Sequence, residues 1–158
     1  MKVLALDPGE RVGWAIGTIT KRVEGVLIRH EMTVEDHGIS YLKDCYLAVD
    51  DALVDGRYDV VVMEGFKLTQ RGAKTSIGST MQTVQFIGMV RGSCWRHGVP
   101  LRMQWPADKS SARRSLKIDH PAAAAMRERL EKITGAHDDR HDEDALIHLW
   151  HHFFTEYV

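Results

Sequence analysis

The pattern of apolar segments predicts a mixed α/β fold with a partly parallel sheet. Three observations carry that reading. Val3-Leu4-Ala5-Leu6 and Val60-Val61-Val62-Met63 are short continuous apolar runs, as expected of strands buried on both faces. Three strand-like segments follow one another before the first helix-like one, which suggests an antiparallel meander. Ile39, Leu42, Tyr46, Val49 and Leu53 then recur at helical spacing and supply a crossover between the two buried runs.

In chain order, the first strand ends at Asp7-Pro8-Gly9, because Pro8 pushes Asp7 out of the helical region and Gly9 permits a turn. Val12 to Thr20 reads as a second strand, Lys21-Arg22 as a hairpin turn and Val23 to His30 as a third strand. A helix over 38–55 closes at Asp55-Gly56, and the fourth strand ends at Glu64-Gly65. Residues 65–78 read as a polar, basic loop. Residues 79–97 read as a helix in which Thr80, Val84, Gly88 and Gly92 form a row of slim residues open to close approach by another backbone. Val99 to Trp105 is a fifth strand, followed by a loop with Pro106 and then a basic stretch through Lys117. Helices are expected over His120 to Thr134, stopped by Gly135, and over Arg140 to Tyr157. The four tryptophans, Trp14, Trp95, Trp105 and Trp150, are most simply core residues.

Composition narrows the function classes. At 158 residues with 44% hydrophobic and 27% charged, the chain reads as one domain, 1–158, with a single core. It is not of disordered or fibrous composition. No apolar run approaches the roughly 20 residues of a membrane span. An acid at Asp7 comes too early for a signal peptide. Two cysteines, Cys45 and Cys94, make neither a disulfide framework nor a zinc pair, so a reducing, cytoplasmic setting is expected.

The net charge of -1 hides a segregation. Residues 31–64 carry -7, residues 65–117 carry +9 and residues 118–158 carry -5. The basic block suits the phosphate contacts that dominate nucleic-acid affinity, although a solvated basic face would have the same composition.

The first and fourth strands each end in an acid, Asp7 and Glu64. Strands joined through a crossover helix run parallel, and ligands of such sheets bind at their carboxyl edge. Two carboxylates meeting there repel unless a cation lies between them, and a hard divalent ion with oxygen ligands fits. In the last helix, His141 and Asp144 lie three residues apart and His148 continues their stripe, while Leu146, Leu149, Trp150, Phe153 and Tyr157 form a separate apolar face. Asp138, Asp139, Asp142 and Glu143 are adequately explained as acids complementing a helix dipole; Asp144, deeper in the helix, is less so.

The three motifs in this order resemble the RuvC-type Holliday junction resolvases, and their bacteriophage branch in particular. They are Leu-Ala-Leu-Asp7-Pro-Gly-x3-Gly13-Trp-Ala, Val-Val-Val-Met-Glu64 and His141-x2-Asp144-Ala145-Leu. The resemblance implies an RNase H-like fold: a mixed five-stranded sheet, three antiparallel strands then parallel ones, flanked by helices. It also implies a homodimer that nicks four-way DNA junctions or forks using two Mg2+ or Mn2+ ions per site, in the cytoplasm, or the host's if the chain is phage-encoded. Asp7, Glu64 and Asp144 match the family's catalytic, metal-binding acids. His141 stands where many members have aspartate and some histidine, and an imidazole suits Mn2+ better than Mg2+. Lys109 and Lys117 are expected near the scissile phosphate, Arg71, Lys74, Arg113 and Arg114 on the DNA backbone, and the 80–97 helix at the dimer contact.

Other readings keep part of this. An RNA or RNA–DNA hybrid nuclease, or a non-catalytic nucleic-acid-binding module, would share the fold. An actin-like ATPase needs two such domains. The histidine pairs His137/His141 and His148/His152 have the spacing of zinc ligands on a helix but lack an obvious third partner.

Overall fold

The computed structural model describes residues 1–66, 77–133 and 140–158. The expected loop over 65–78, with Arg71 and Lys74, lies for the most part outside them, as do Thr134, Gly135, His137, Asp138 and Asp139.

Five strands form one sheet in the order β3-β2-β1-β4-β5. They are β1 (Lys2–Pro8), β2 (Arg11–Glu24), β3 (Leu27–Tyr41), β4 (Val60–Glu64) and β5 (Leu101–Gln104). β1 pairs antiparallel with β2, and β2 with β3; β1–β4 and β4–β5 are parallel. The helices are α1 (Leu42–Val54), α2 (Ile77–His97), α3 (Pro106–Ser115), α4 (Pro121–Ile133) and α5 (His141–Tyr157). The mixed sheet flanked by helices is the expected architecture. Among the described residues no helix is long and apolar enough to cross a membrane.

Strand residues alternate between two cores. Val3, Ala5, Val60 and Val62 face Ala145, Leu146, Leu149, Trp150 and Phe153 of α5. Leu4, Leu6, Val61 and Met63 face Cys45, Val49 and Leu53 of α1 and Phe86, Val90 and Cys94 of α2. The same alternation fixes which way the strand ends point. Asp7 and Glu64 fall on the α5 side, as does Gln104, which pairs with Glu64 across β4–β5.

α5 approaches the sheet over a track of small residues on β2. A Cβ on Gly13 would land on the His141 carbonyl group, and one on Gly17 would stand 2.8 Å from Leu149 Cδ2. Ala15 fills the position between them. Gly9 makes similar room for the His141 ring. These glycines set how near the first turn of α5 comes to the end of β1.

Four expectations are corrected. The hairpin turn is Gly25-Val26, not Lys21-Arg22: Glu24 pairs with Leu27, and Gly25 takes φ 65° at the first central position, as a type II′ turn prefers. Both strands are therefore longer than read, and residues 38–41 belong to β3 rather than to the first helix. The basic stretch after Pro106 is a helix, α3: Pro106 is tolerated in its first turn, and Asp108 Oδ2 accepts the Trp105 N–H at 2.7 Å. Two tryptophans expected in the core are not there: Trp105 lies beside Gly65 and is 42% exposed, and Trp95 is 86% exposed on the outer face of α2. Gly88 and Gly92 share that open side, since a Cβ on either would meet nothing within 4 Å.

The glycine track makes a graded prediction. Gly13→Ala must displace backbone, so it should destabilise by about 1–3 kcal/mol and lower Tm by several degrees. Gly17→Ala meets chiefly the end of a flexible leucine, with the Thr33 carbonyl oxygen farther off at 3.3 Å, and should be milder. Thermal unfolding followed by circular dichroism checks the order; equal, negligible shifts would count against close packing of α5 on β2.

Candidate active site

The parallel strands β1 and β4 pair through Leu6 and Met63, so the next residues, Asp7 and Glu64, stand side by side at the carboxyl edge. α5 brings His141 and Asp144 over that edge from above. α3 brings Lys109 and Arg113 from the side. Trp150 Nε1–H donates to Ser115 Oγ at 2.8 Å, and Ser115 Oγ–H donates to the Ala112 carbonyl at 2.8 Å. This buried chain ties α3 to α5 and holds their charged residues in one register.

The Lys109 ammonium stands among three carboxylates. Its Nζ is 2.7 Å from Asp144 Oδ2, 2.8 Å from Glu64 Oε2 and 3.5 Å from Asp7 Oδ1. Arg113 Nη2 bridges Asp144 Oδ1 at 2.8 Å and Glu143 Oε1 at 2.9 Å. His141 Nδ1 makes a short contact with Asp7 Oδ2. His148 Nε2 lies 3.1 Å from Glu64 Oε2 and 3.8 Å from Asp7 Oδ1.

Electrostatics follow from that packing. Burial favours a neutral Asp7, but its contact with His141, the nearby His148 imidazole and the charge of Lys109 outweigh it, so its carboxyl is held well below the usual carboxylate range. Burial opposes charge on Lys109, yet Asp7, Asp144 and Glu64 together hold it above the ordinary lysine value. His148 is likewise raised: burial lowers it, and the Asp7 and Glu64 carboxylates more than compensate.

The structure thus brings Asp7, Glu64, His141 and Asp144 to one place. It turns Lys109 inward onto the acids and sets the exposed Arg113 against Glu143 and Asp144 at the rim, while Arg114 and Lys117 are also exposed. Glu143 and Asp142 do more than face a helix dipole: both are buried, Glu143 against Arg113 and Asp142 with Oδ2 3.6 Å from His37 Nδ1. Two residues outside the expected set also belong here. His148 extends the His141–Asp144 stripe by one turn and is fully buried. Gln104, at the end of β5, hydrogen-bonds it; nothing in the sequence distinguishes that glutamine from any other strand-end polar residue.

The donor set fits a divalent cation. Ligand atoms of Asp7, Glu64 and His148 all lie within 4.8 Å of one another, and Asp144 shares the Lys109 ammonium with Asp7 and Glu64. A site that gathers three carboxylates around one positive charge selects cations, and hard oxygens with an imidazole nitrogen suit Mg2+ or Mn2+. Replacing the ammonium tests this. Lys109→Met should destabilise the chain in chelator by up to about 3 kcal/mol, because it leaves the acids uncompensated. Added Mn2+ should recover the lost Tm. No loss in chelator, or no recovery with Mn2+, would contradict a cation-selecting cluster.

No protein-family model matches the chain, and neither does any curated protein sequence. Solved structures do. Thermus thermophilus RuvC in complex with Holliday junction substrate aligns with TM-score 0.62 and 17% identity over 98% of this chain and 93% of that one. A second Thermus thermophilus RuvC structure aligns with TM-score 0.61 and 18% identity, over 98% and 94%. The yeast mitochondrial Holliday junction resolvase aligns with TM-score 0.57 and 13% identity, over 98% and 80%. From β1 to α5, the chain has the RNase H-like fold of the RuvC-type resolvase structures.

Proposed function

We propose that the chain is a divalent-metal-dependent endonuclease that cuts four-way junctions or other branched DNA. The observation that carries this reading is the convergence of Asp7, Glu64 and Asp144, from β1, β4 and α5, around one positive charge at the carboxyl edge of the sheet. The fold it shares with a resolvase solved on its junction supports the substrate class.

Asp7, Glu64, His141 and Asp144 would hold two Mg2+ or Mn2+ ions, which would activate a water and stabilise the leaving oxygen. Asp7, kept anionic by its surroundings, would be one of their carboxylate ligands. Water attacks phosphorus, the P–O bond to the leaving strand breaks, and no covalent enzyme intermediate forms. Lys109 neutralises the acids when no metal does so and offers its ammonium to the scissile phosphate when one does. Arg114 and Lys117, exposed near α3, together with Arg71, Lys74 and Arg113, are the proposed backbone contacts. Such contacts carry no sequence information, so branched shape dominates binding.

A homodimer through α2 completes the proposal. Met81, Val84 and Trp95 are exposed on that helix, and Gly88 and Gly92 leave open space between them. That surface suits close approach by a second copy, which would bring two sites to two strands.

Two experiments test these statements. Asp7→Asn and Glu64→Gln should reduce metal-dependent nicking of a four-way junction to background while leaving junction binding in a gel shift largely intact. Unchanged cutting, or preferential cutting of an RNA–DNA hybrid in a parallel assay, would redirect the assignment. Trp95→Asp should shift the wild-type chain from dimer to monomer in analytical ultracentrifugation; a wild type that sediments as a monomer at high concentration removes α2 as a dimer contact.

A further inference from the structure

One fully buried histidine beside the acids has no role in the reaction described above. His148 is fixed from two sides. Gln104 Nε2–H donates to the His148 carbonyl at 3.2 Å, which leaves Gln104 Oε1 facing His148 Nδ1 at 2.7 Å. A carboxamide oxygen only accepts, so Nδ1 carries the hydrogen of that contact. Nε2 then points at Glu64 Oε2, 3.1 Å away, and Asp7 Oδ1, 3.8 Å away. Carboxylate oxygens also only accept. A nitrogen aimed at them in this way is favourable with a cation between: a proton on Nε2, or a metal ion shared by all three atoms.

We infer that His148 is the nitrogen ligand of a divalent ion held with Asp7 and Glu64, and that Gln104 is the positioning residue that keeps Nε2 turned towards that ion. Asp7, Glu64 and His148 are the compact ligand group among the described residues. Metal-binding imidazoles characteristically give their other ring N–H to an oxygen acceptor, which sets both tautomer and orientation. Gln104 is well built for this. It lies opposite Glu64 in the β4–β5 register, and its carbonyl accepts the Gly65 N–H at 2.6 Å. The ligand carboxylate and the group that orients the ligand imidazole are therefore held by adjoining strands. An added imidazole favours Mn2+ over Mg2+ at this position. The inference rests on the nuclease reading and extends its metal site by one residue.

Calorimetric titration of Mn2+ and of Mg2+ into the full chain tests it, joined to pulsed electron paramagnetic resonance of bound Mn2+ to detect ligand nitrogen. His148→Gln should weaken Mn2+ binding about 10-fold or more, weaken Mg2+ binding less, and remove a nitrogen coupling that survives in His141→Gln. Gln104→Leu should also weaken Mn2+ binding, and Gln104→Glu, which still accepts from Nδ1–H, should restore it. Unchanged Mn2+ affinity and nitrogen coupling in a folded His148→Gln protein would overturn the inference. Should that variant fail to fold by circular dichroism, equal Mn2+ affinities for Gln104→Leu and Gln104→Glu would overturn it instead. A wild type that binds Mn2+ through His148 but nicks no branched DNA defeats the nuclease reading alone. A wild type that nicks junctions with His148 shown to be dispensable for Mn2+ defeats this inference alone.

Discussion

Negative charge gathered at the carboxyl edge of the sheet is the constraint on which the rest of this structure turns. Asp7 is nearly buried, Glu64 and Asp144 are close by, and such a cluster is untenable without positive charge. Lys109 supplies it at the centre, Arg113 at the rim and His148 from beneath. Each comes from a helix that must lie at a definite place. The position of α3 against α5, locked by the Trp150–Ser115 hydrogen bond, therefore follows from the same requirement as the site itself. A site that keeps its acids ionised by surrounding them with cationic side chains is already arranged to exchange some of that charge for a metal ion.

Close approach is the second requirement. Side chains of α5 reach the end of β1 only because β2 offers Gly13, Ala15 and Gly17 beneath the helix and Gly9 offers room for His141. Bulk on this track would lift the helix and carry Asp144 and His141 away from Asp7. The opposite sheet face carries no such demand; α1 and α2 pack there through ordinary apolar contacts, and α2 leaves its outer side exposed. The two cores thus divide the work: the α5 side positions charge, and the α1–α2 side supplies burial and leaves a surface open on the outside of the fold.

The legible parts of the sequence were those in which local pattern and tertiary role coincide. Val3–Leu6 and Val60–Met63 are apolar because both sheet faces are covered, and parallel pairing of two such strands puts Asp7 beside Glu64. The last helix announced its polar stripe through His141, Asp144 and His148. Where two signals compete, the reading slipped. Lys21-Arg22 looked like a turn because it is charged, yet Gly25 has the backbone freedom a tight hairpin needs. Pro106 suggests a loop and the basic stretch after it has no clear period, although proline is at home in a first helical turn. Trp95 looked like core because tryptophan usually is.

Sequence alone indicated a mixed, partly parallel sheet, the two acids at the ends of its first and fourth strands and the helix that brings a third, because these follow from hydrophobic period and crossover geometry. Only the tertiary structure decided the charge partners. Lys109 and Arg113, expected as contacts to DNA, are paired with the acids; Gln104 had no signal at all and became the partner of a buried histidine. Periodicity reports which face of an element is apolar, but the partner of a polar side chain is set by distances between elements far apart in the chain, and those exist only once the sheet and its helices have packed.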